Sequence, residues 1–118
     1  MALALVVDDD ELIRQLFMEV LRMAGLESQA ASSAKDAIAM LENLTPDIAF
    51  IDYNMPGGTG IEVIQFIRST PRLASLKIVI VTANSQVEST FEAMGIDLFL
   101  EKPVAPSDII AFARRLTA

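Results

Sequence analysis

The chain has 118 residues, 53% of them hydrophobic, with a net charge of -7 from 16 acidic and 9 basic side chains. That is the length of one domain with a real core, and the acidic balance argues against direct nucleic-acid binding by this unit. There is no cysteine and no histidine, which removes disulfides, thiolate metal sites and the commonest general base, and leaves hard, oxygen-bound cations as the metal class to consider.

Leu3-Ala4-Leu5-Val6-Val7 reads as a buried strand, and Asp8, Asp9 and Asp10 follow it at once. The apolar run is too short for a signal peptide or membrane span, so the expectation is a cytoplasmic protein without membrane contact. A helix follows, with Leu12, Ile13, Leu16, Phe17, Val20 and Leu21 on one apolar stripe, Asp10 as N-cap and Gly25 as stop. Glu27 to Ala31 is a weak strand near a sheet edge. Ser33-Ala34-Lys35-Asp36 resembles a capping box with Asp in place of Glu and opens a helix through Ile38, Leu41 and Leu44, ended by Thr45-Pro46.

Ile48-Ala49-Phe50-Ile51-Asp52 is a continuous apolar run closed by one carboxylate and by the loop Met55-Pro56-Gly57-Gly58-Thr59-Gly60. Such a run is the pattern of a strand buried on both faces. A helix with Ile61, Ile64 and Ile67 stops near Thr70-Pro71. Lys77 to Thr82 is another buried strand, and Ser85-Gln86-Val87-Glu88 caps a short helix ending at Gly95. Asp97 to Lys102 is a fifth strand, and Pro103 and Pro106 lead to a last helix through Ile109, Ile110, Phe112, Ala113 and Leu116. Strand and helix alternate five times. The predicted architecture is α/β, a doubly wound five-stranded parallel sheet in the order 2-1-3-4-5 between two layers of helices, five in all. Residues 1–118 are expected to form one domain.

In that order the first and third strands lie side by side at the switch point, where open α/β sheets bind ligands. Asp8, Asp9 and Asp52 would converge there. Two carboxylates about 5 Å apart repel by roughly 3 kcal/mol at an effective dielectric near 20, and a hard divalent cation, Mg²⁺ foremost, relieves that repulsion. The plainer alternative is that Asp8 to Asp10 form a solvated helix N-terminus and Asp52 a loop cap. Thr82 and Lys102 end two more strands on the same edge. A hydroxyl and an ammonium there suit a phosphate held on Asp52, although taken singly Thr82 reads more readily as a helix cap and Lys102 as a solvated strand end.

Val6-Val7-Asp8-Asp9, Asp52 with Asn54-Met55-Pro56 and Gly60-Ile61-Glu62, Val81-Thr82-Ala83 and Glu101-Lys102-Pro103, in this order, resemble the receiver domain of bacterial two-component response regulators, the family of the chemotaxis receiver, over the whole chain. The resemblance implies a flavodoxin-like receiver (response regulatory) domain over 1–118. It implies a phosphorylation switch in which Asp52 takes a phosphoryl group from a phosphohistidine on a sensor histidine kinase or phosphotransfer domain. Such a domain catalyses only its own phosphorylation and autodephosphorylation. Asp9, Asp52 and the main-chain carbonyl of Asn54 would ligate Mg²⁺, with Asp8 acting through water. Lys102 would pair with the phosphate, Thr82 would hydrogen-bond to it, Phe99 would turn inward as Thr82 moves, and the Lys102-Pro103 bond would be cis. An unidentified downstream effector reads the switch.

Gly95 lies 13 residues after Thr82, about two fewer than is usual in the family. Asp97 matches an acidic position used in dimer salt bridges by some relatives, with Arg114 or Arg115 as partner in a phosphorylation-dependent homodimer; the alternative is solvated surface charge. Met18 reads as an adaptable kinase contact on the first helix or as an ordinary exposed methionine. Two other functions compete: an aspartate-nucleophile phosphatase or phosphotransferase, which would need an acid/base where Asn54 stands, and a binding module that keeps the fold without the phosphorylation.

Overall fold

The computed structural model describes residues 1–55, 58–83 and 94–118. Seven strands are found among them: β1 (Leu3–Val7), β2 (Glu27–Ala31), β3 (Ile48–Asp52), the two-residue β4 (Asn54–Met55) and β5 (Gly58–Thr59), β6 (Lys77–Thr82) and β7 (Leu98–Glu101). The described helices are α1 (Glu11–Met23), α2 (Ala34–Leu41), α3 (Gly60–Arg68) and α4 (Pro106–Leu116), with a 3₁₀ turn at Pro71–Leu73. The short helix expected from Ser85 falls on 84–93, outside the described residues. Gly95, at its expected end, has φ +76°. None of the described helices is long and apolar enough to cross a membrane.

The main sheet runs β2-β1-β3-β6-β7, all parallel. This is the predicted order once the small antiparallel β4-β5 pair is set aside. The sheet is central because its side chains are apolar on both faces. Leu5, Val7, Ala49, Ile51, Ile78 and Ile80 pack against α2 and α3 in one core cluster. Their sequence neighbours Ala4, Val6, Ile48, Phe50, Val79 and Val81 pack against α1 and α4 in the other. The two-residue period of a strand thus sends alternate residues into two cores. Phe17 of α1 meets Phe50 edge to face, ring centroids 5.6 Å apart.

Three boundary expectations need correction. The α1 stripe is broader than its buried face: Phe17, Val20 and Leu21 are buried, whereas Leu12 is 75% exposed and Leu16 43%. Met18 lies on the half-buried flank and packs against the second core cluster. The second helix ends at Leu41, not at Leu44, and buries Ala34, Ala37 and Leu41. The carbonyl of Leu41, its last residue, and that of Leu44, beyond its end, accept from the Arg72 guanidinium, which also reaches Thr45. A side chain from the far end of the next βα unit therefore finishes the helix that continued backbone turns would have extended. Ser33 does cap α2, accepting from the Asp36 N–H at 3.0 Å, but the Asp36 carboxylate accepts from Ser32 Oγ rather than closing the box.

Candidate functional site

Asp8 follows directly on β1, and Asp52 is the last residue of β3. The two strands pair in parallel with Val7 beside Ile51, so the residue after each lies at one edge of the sheet. Among the described residues, Asp8, Asp9 and Asp52 offer carboxylate oxygens that all lie within 4.8 Å of one another. Asp8 and Asp52 are only 4% and 7% exposed, while Asp9 is exposed. Thr82, the last residue of β6, is fully buried. Lys102 follows β7, and its main-chain N–H donates to the Thr82 carbonyl at 2.7 Å. The Lys102 Nζ donates to Asp8 Oδ2 at 2.9 Å and stands 3.5 Å from Asp52 Oδ1. The Lys102–Pro103 peptide is cis. Asn54 lies in β4, whose backbone pairs it with Thr59. Phe99, in β7, is half-buried against the α2–α3 core cluster. Asp8, Asp9, Asp52 and Lys102 form one charged cluster, with Thr82 tied to Lys102 through the main chain.

The electrostatics follow from three acids facing one base. Burial pushes the Asp52 carboxyl up, the Asp8 and Asp9 charges push it further, and Lys102 only partly opposes them, so it titrates at about 6. For Lys102, burial works against the ammonium, but the Asp8 hydrogen bond and the Asp52 and Asp8 charges outweigh it and hold the pKa above the ordinary lysine value. One ammonium does not neutralise three clustered carboxylates. The donor set is all hard oxygen, and an excess of negative charge at this spacing is what a small divalent cation compensates.

Two positioning features escaped sequence reasoning. Arg14 Nη1 donates to the main-chain carbonyl of Asp8 at 2.8 Å. Gly60 opens α3 so close to β3 that a Cβ there would stand 2.7 Å from the Asp52 carbonyl oxygen and 3.0 Å from Ile51 Cγ2. The signal for Arg14, a lone arginine in the first turn of the helix behind the acid triplet, was present in the sequence. Nothing in the sequence gives the approach at Gly60. Asp97 also differs from expectation. Its carboxylate accepts from the Ile78 N–H at 2.8 Å and pairs with Arg68 at 3.5 Å. Arg114 reaches the Ala24 carbonyl, and Arg115 lies over the Phe112 ring. Asp97 is thus engaged within its own chain, joining the start of β6 to the entry of β7.

The sequence pattern of the response regulator receiver domain matches residues 4–114. The chain is 33% identical over 102 residues to the chemotaxis protein CheY of Pseudomonas aeruginosa, covering 84% of this chain and 82% of that one. It is 28% identical over 109 residues to the phosphate regulon transcriptional regulatory protein PhoB of the same organism, covering 91% of this chain and 48% of that one. It therefore spans about half the length of the PhoB relatives it matches. Among solved structures, the chemotaxis protein CheY4 of Vibrio cholerae superposes with a TM-score of 0.90 at 29% identity, over 98% of both chains. The response regulator TrrA of Thermotoga maritima, in complex with Mg²⁺-BeF, superposes with a TM-score of 0.88 at 29% identity, over 98% of this chain and 99% of that one. An acid cluster at the carboxyl edge of a 2-1-3-4-5 sheet, together with a match that runs through almost every element, leaves one assignment: the chain belongs to the response regulator receiver domain family, the phosphorylation-based signalling switches of two-component systems.

Proposed function

We propose that Asp52 is the phosphoacceptor of this switch, that residues 1–118 act as one receiver domain, and that Mg²⁺ is its cofactor. The observation that carries this reading is the buried Asp52 carboxylate, gathered with Asp8 and Asp9 inside 4.8 Å and 3.5 Å from the Lys102 ammonium. Asp9, Asp52 and the Asn54 carbonyl would hold Mg²⁺, with Asp8 acting through water. The bound cation supplies charge compensation for the phosphoryl oxygens. That the TrrA neighbour was solved with Mg²⁺-BeF supports the cofactor choice.

In the transfer, a carboxylate oxygen of Asp52 attacks phosphorus in line. The P–O bond forms as the bond to the donor's imidazole nitrogen breaks, and the electron pair leaves with that imidazole. Asp52 must be ionised to do so. Lys102, already beside Asp52, pairs with the arriving phosphoryl oxygens. Thr82 offers its hydroxyl to them, and Phe99 follows into the space that Thr82 vacates. The Lys102 N–H bond to the Thr82 carbonyl supports reading these two strand ends as one moving unit. The phosphoryl group brings about -1.5 to -2 charge, and contacts made only in the charged state are what shift a two-state equilibrium. Moving it from 1:99 to 99:1 takes about 5.5 kcal/mol. The chemistry is positioning and electrostatics, and self-catalysed dephosphorylation is a second in-line displacement, in which water attacks phosphorus, gives up a proton, and the P–O bond to Asp52 breaks with the electron pair returning to its carboxylate.

The donor partner is a sensor histidine kinase or phosphotransfer domain, and the exposed Leu12 and Leu16 of α1, beside the acid cluster, are the apolar contacts we assign to it. A downstream effector reads the switch, and a phosphorylation-dependent homodimer is one form that reading takes. The domain works in the cytoplasm without contacting nucleic acid itself, as the net charge of -7 supports.

The test is intact mass after incubation with acetyl phosphate, with and without Mg²⁺, beside Asp52→Asn. The expected result is one Mg²⁺-dependent phosphoryl adduct on the wild type and none on the variant. An adduct that persists in Asp52→Asn would remove Asp52 from this role. No adduct from acetyl phosphate or from phosphorylated kinase domains would favour a binding module that has lost the chemistry.

A further inference from the structure

Each member of the acid triplet between β1 and α1 is held differently. Asp10 caps α1, its Oδ1 accepting from the Leu12 and Ile13 N–H groups at 2.9 and 3.3 Å. The Asp8 carboxylate is engaged twice, by the Asp10 N–H at 2.9 Å on Oδ1 and by Lys102 at 2.9 Å on Oδ2. Asp9 lies between them, exposed, and its carboxylate takes part in none of the described side-chain hydrogen bonds or ion pairs. Its position is therefore set through the backbone on either side. On the far side that backbone is fixed by the helix cap. On the near side the Asp8 N–H reaches the Ala31 carbonyl at a long 3.2 Å, and the Asp8 carbonyl, one bond from the Asp9 nitrogen, accepts from Arg14 Nη1 at 2.8 Å.

Arg14 is half-buried and is not spent on an acid. Asp36 borders the same cleft, but its carboxylate is bound by Ser32 Oγ at 2.9 Å, and none of the described ion pairs includes Arg14. A guanidinium committed to a main-chain carbonyl beside three carboxylates forms a charge-assisted bond with fixed geometry.

We infer that Arg14 is a positioning residue for the cation site: by holding the Asp8 carbonyl it sets the peptide that presents the Asp9 carboxylate. The inference rests on the Mg²⁺ reading above. It also has a sign that separates it from plain electrostatics. Arg14 is a cation beside a cation site, so charge alone predicts tighter Mg²⁺ binding when it is removed. Positioning predicts weaker binding, because groups that orient a ligand residue typically change metal affinity by about tenfold or more.

The experiment is Mg²⁺ titration of wild type, Arg14→Met and Arg14→Lys, followed by Tyr53 emission, with urea midpoints in EDTA to measure the metal-free fold. The expected result is about a tenfold rise in Mg²⁺ Kd for Arg14→Met, a smaller rise for Arg14→Lys, and urea midpoints that change little. An unchanged or tighter Kd in Arg14→Met overturns the inference, as does a lowered urea midpoint with no change in Kd. Should Arg14→Met not fold, Arg14→Lys decides: it keeps the charge and loses the fork, and wild-type affinity in it refutes positioning. A wild type that does not respond to Mg²⁺ would sink the cofactor reading itself, an outcome distinct from wild-type binding that Arg14 variants share.

Discussion

Asp52 carries a charge that its surroundings resist. Its folded-state pKa of about 6 lies above the ordinary 3.8, so the fold favours the neutral carboxyl. The stability this contributes is fully present below about pH 4 and is lost as pH rises through about 6. In metal-free protein the urea midpoint of the wild type is therefore expected to fall between pH 5 and pH 7 by the equivalent of about 1 kcal/mol more than that of Asp52→Asn. Parallel pH profiles of the two proteins would contradict the assignment. Under the proposed role of Asp52 as phosphoacceptor, it would be partly protonated near pH 6, and compensating the acid cluster would restore its reactive form. At this scale the acids were legible because carboxylates at strand ends have few structural reasons to cluster. The orienting groups were harder to read: an arginine close behind the acid triplet is visible as a residue type, but its hydrogen bond to the Asp8 main-chain carbonyl is not.

Among the elements, the contact between α3 and β3 has the least tolerance. Replacing an exposed helical glycine by alanine ordinarily gains up to about 1 kcal/mol. At Gly60 the added methyl meets backbone at 2.7 Å, and backbone that must shift costs about 1–3 kcal/mol. Gly60→Ala is expected to lower the urea midpoint despite its better helix propensity, and a raised midpoint would show that the helix start gives way freely. The strands were read almost to the residue, since a run such as Ile78-Val79-Ile80-Val81 between polar ends admits little else. Helix ends and faces were read less well. A hydrophobic stripe does not say which of its edges meets the core, and so Leu12 and Leu16 of α1 were grouped with Phe17 and Leu21. The end of α2 depends on Arg72, 31 residues beyond Leu41. Arg68 makes comparable contacts, donating to the Gly95 carbonyl at 2.6 Å, 27 residues on, and to that of Leu76 at 3.3 Å. Local pattern cannot contain such tertiary contacts.

For the whole molecule, the order of the sheet was readable from the alternation of elements, because parallel strands with right-handed crossovers leave few alternatives. The charge balance was also readable, and its consequence is collective. Any cation that binds the folded acid cluster but not the unfolded chain stabilises the whole domain, by about 2.7 kcal/mol at a hundredfold excess over Kd. Saturating Mg²⁺ is expected to raise the thermal midpoint of the wild type by several degrees, and much less in Asp9→Ala, as followed by circular dichroism. Equal rises would place the bound ion elsewhere.

The Lys102–Asp8 pair joins residues 94 positions apart, which fixes when the site can come into being. The chain is made from the amino end, and the acids of β1 and β3 emerge long before the lysine that follows β7. Until the last strand docks, a growing chain holds its carboxylates at the sheet edge without their counter-charge, and the longest loop in the site is still open. The ammonium arrives only with the completed sheet. A nascent or clipped chain lacking β7 would display Asp52, the proposed acceptor, without the lysine proposed to pair with its phosphoryl group, and on that reading competence to be charged would itself be a proof-reading mark of a finished fold.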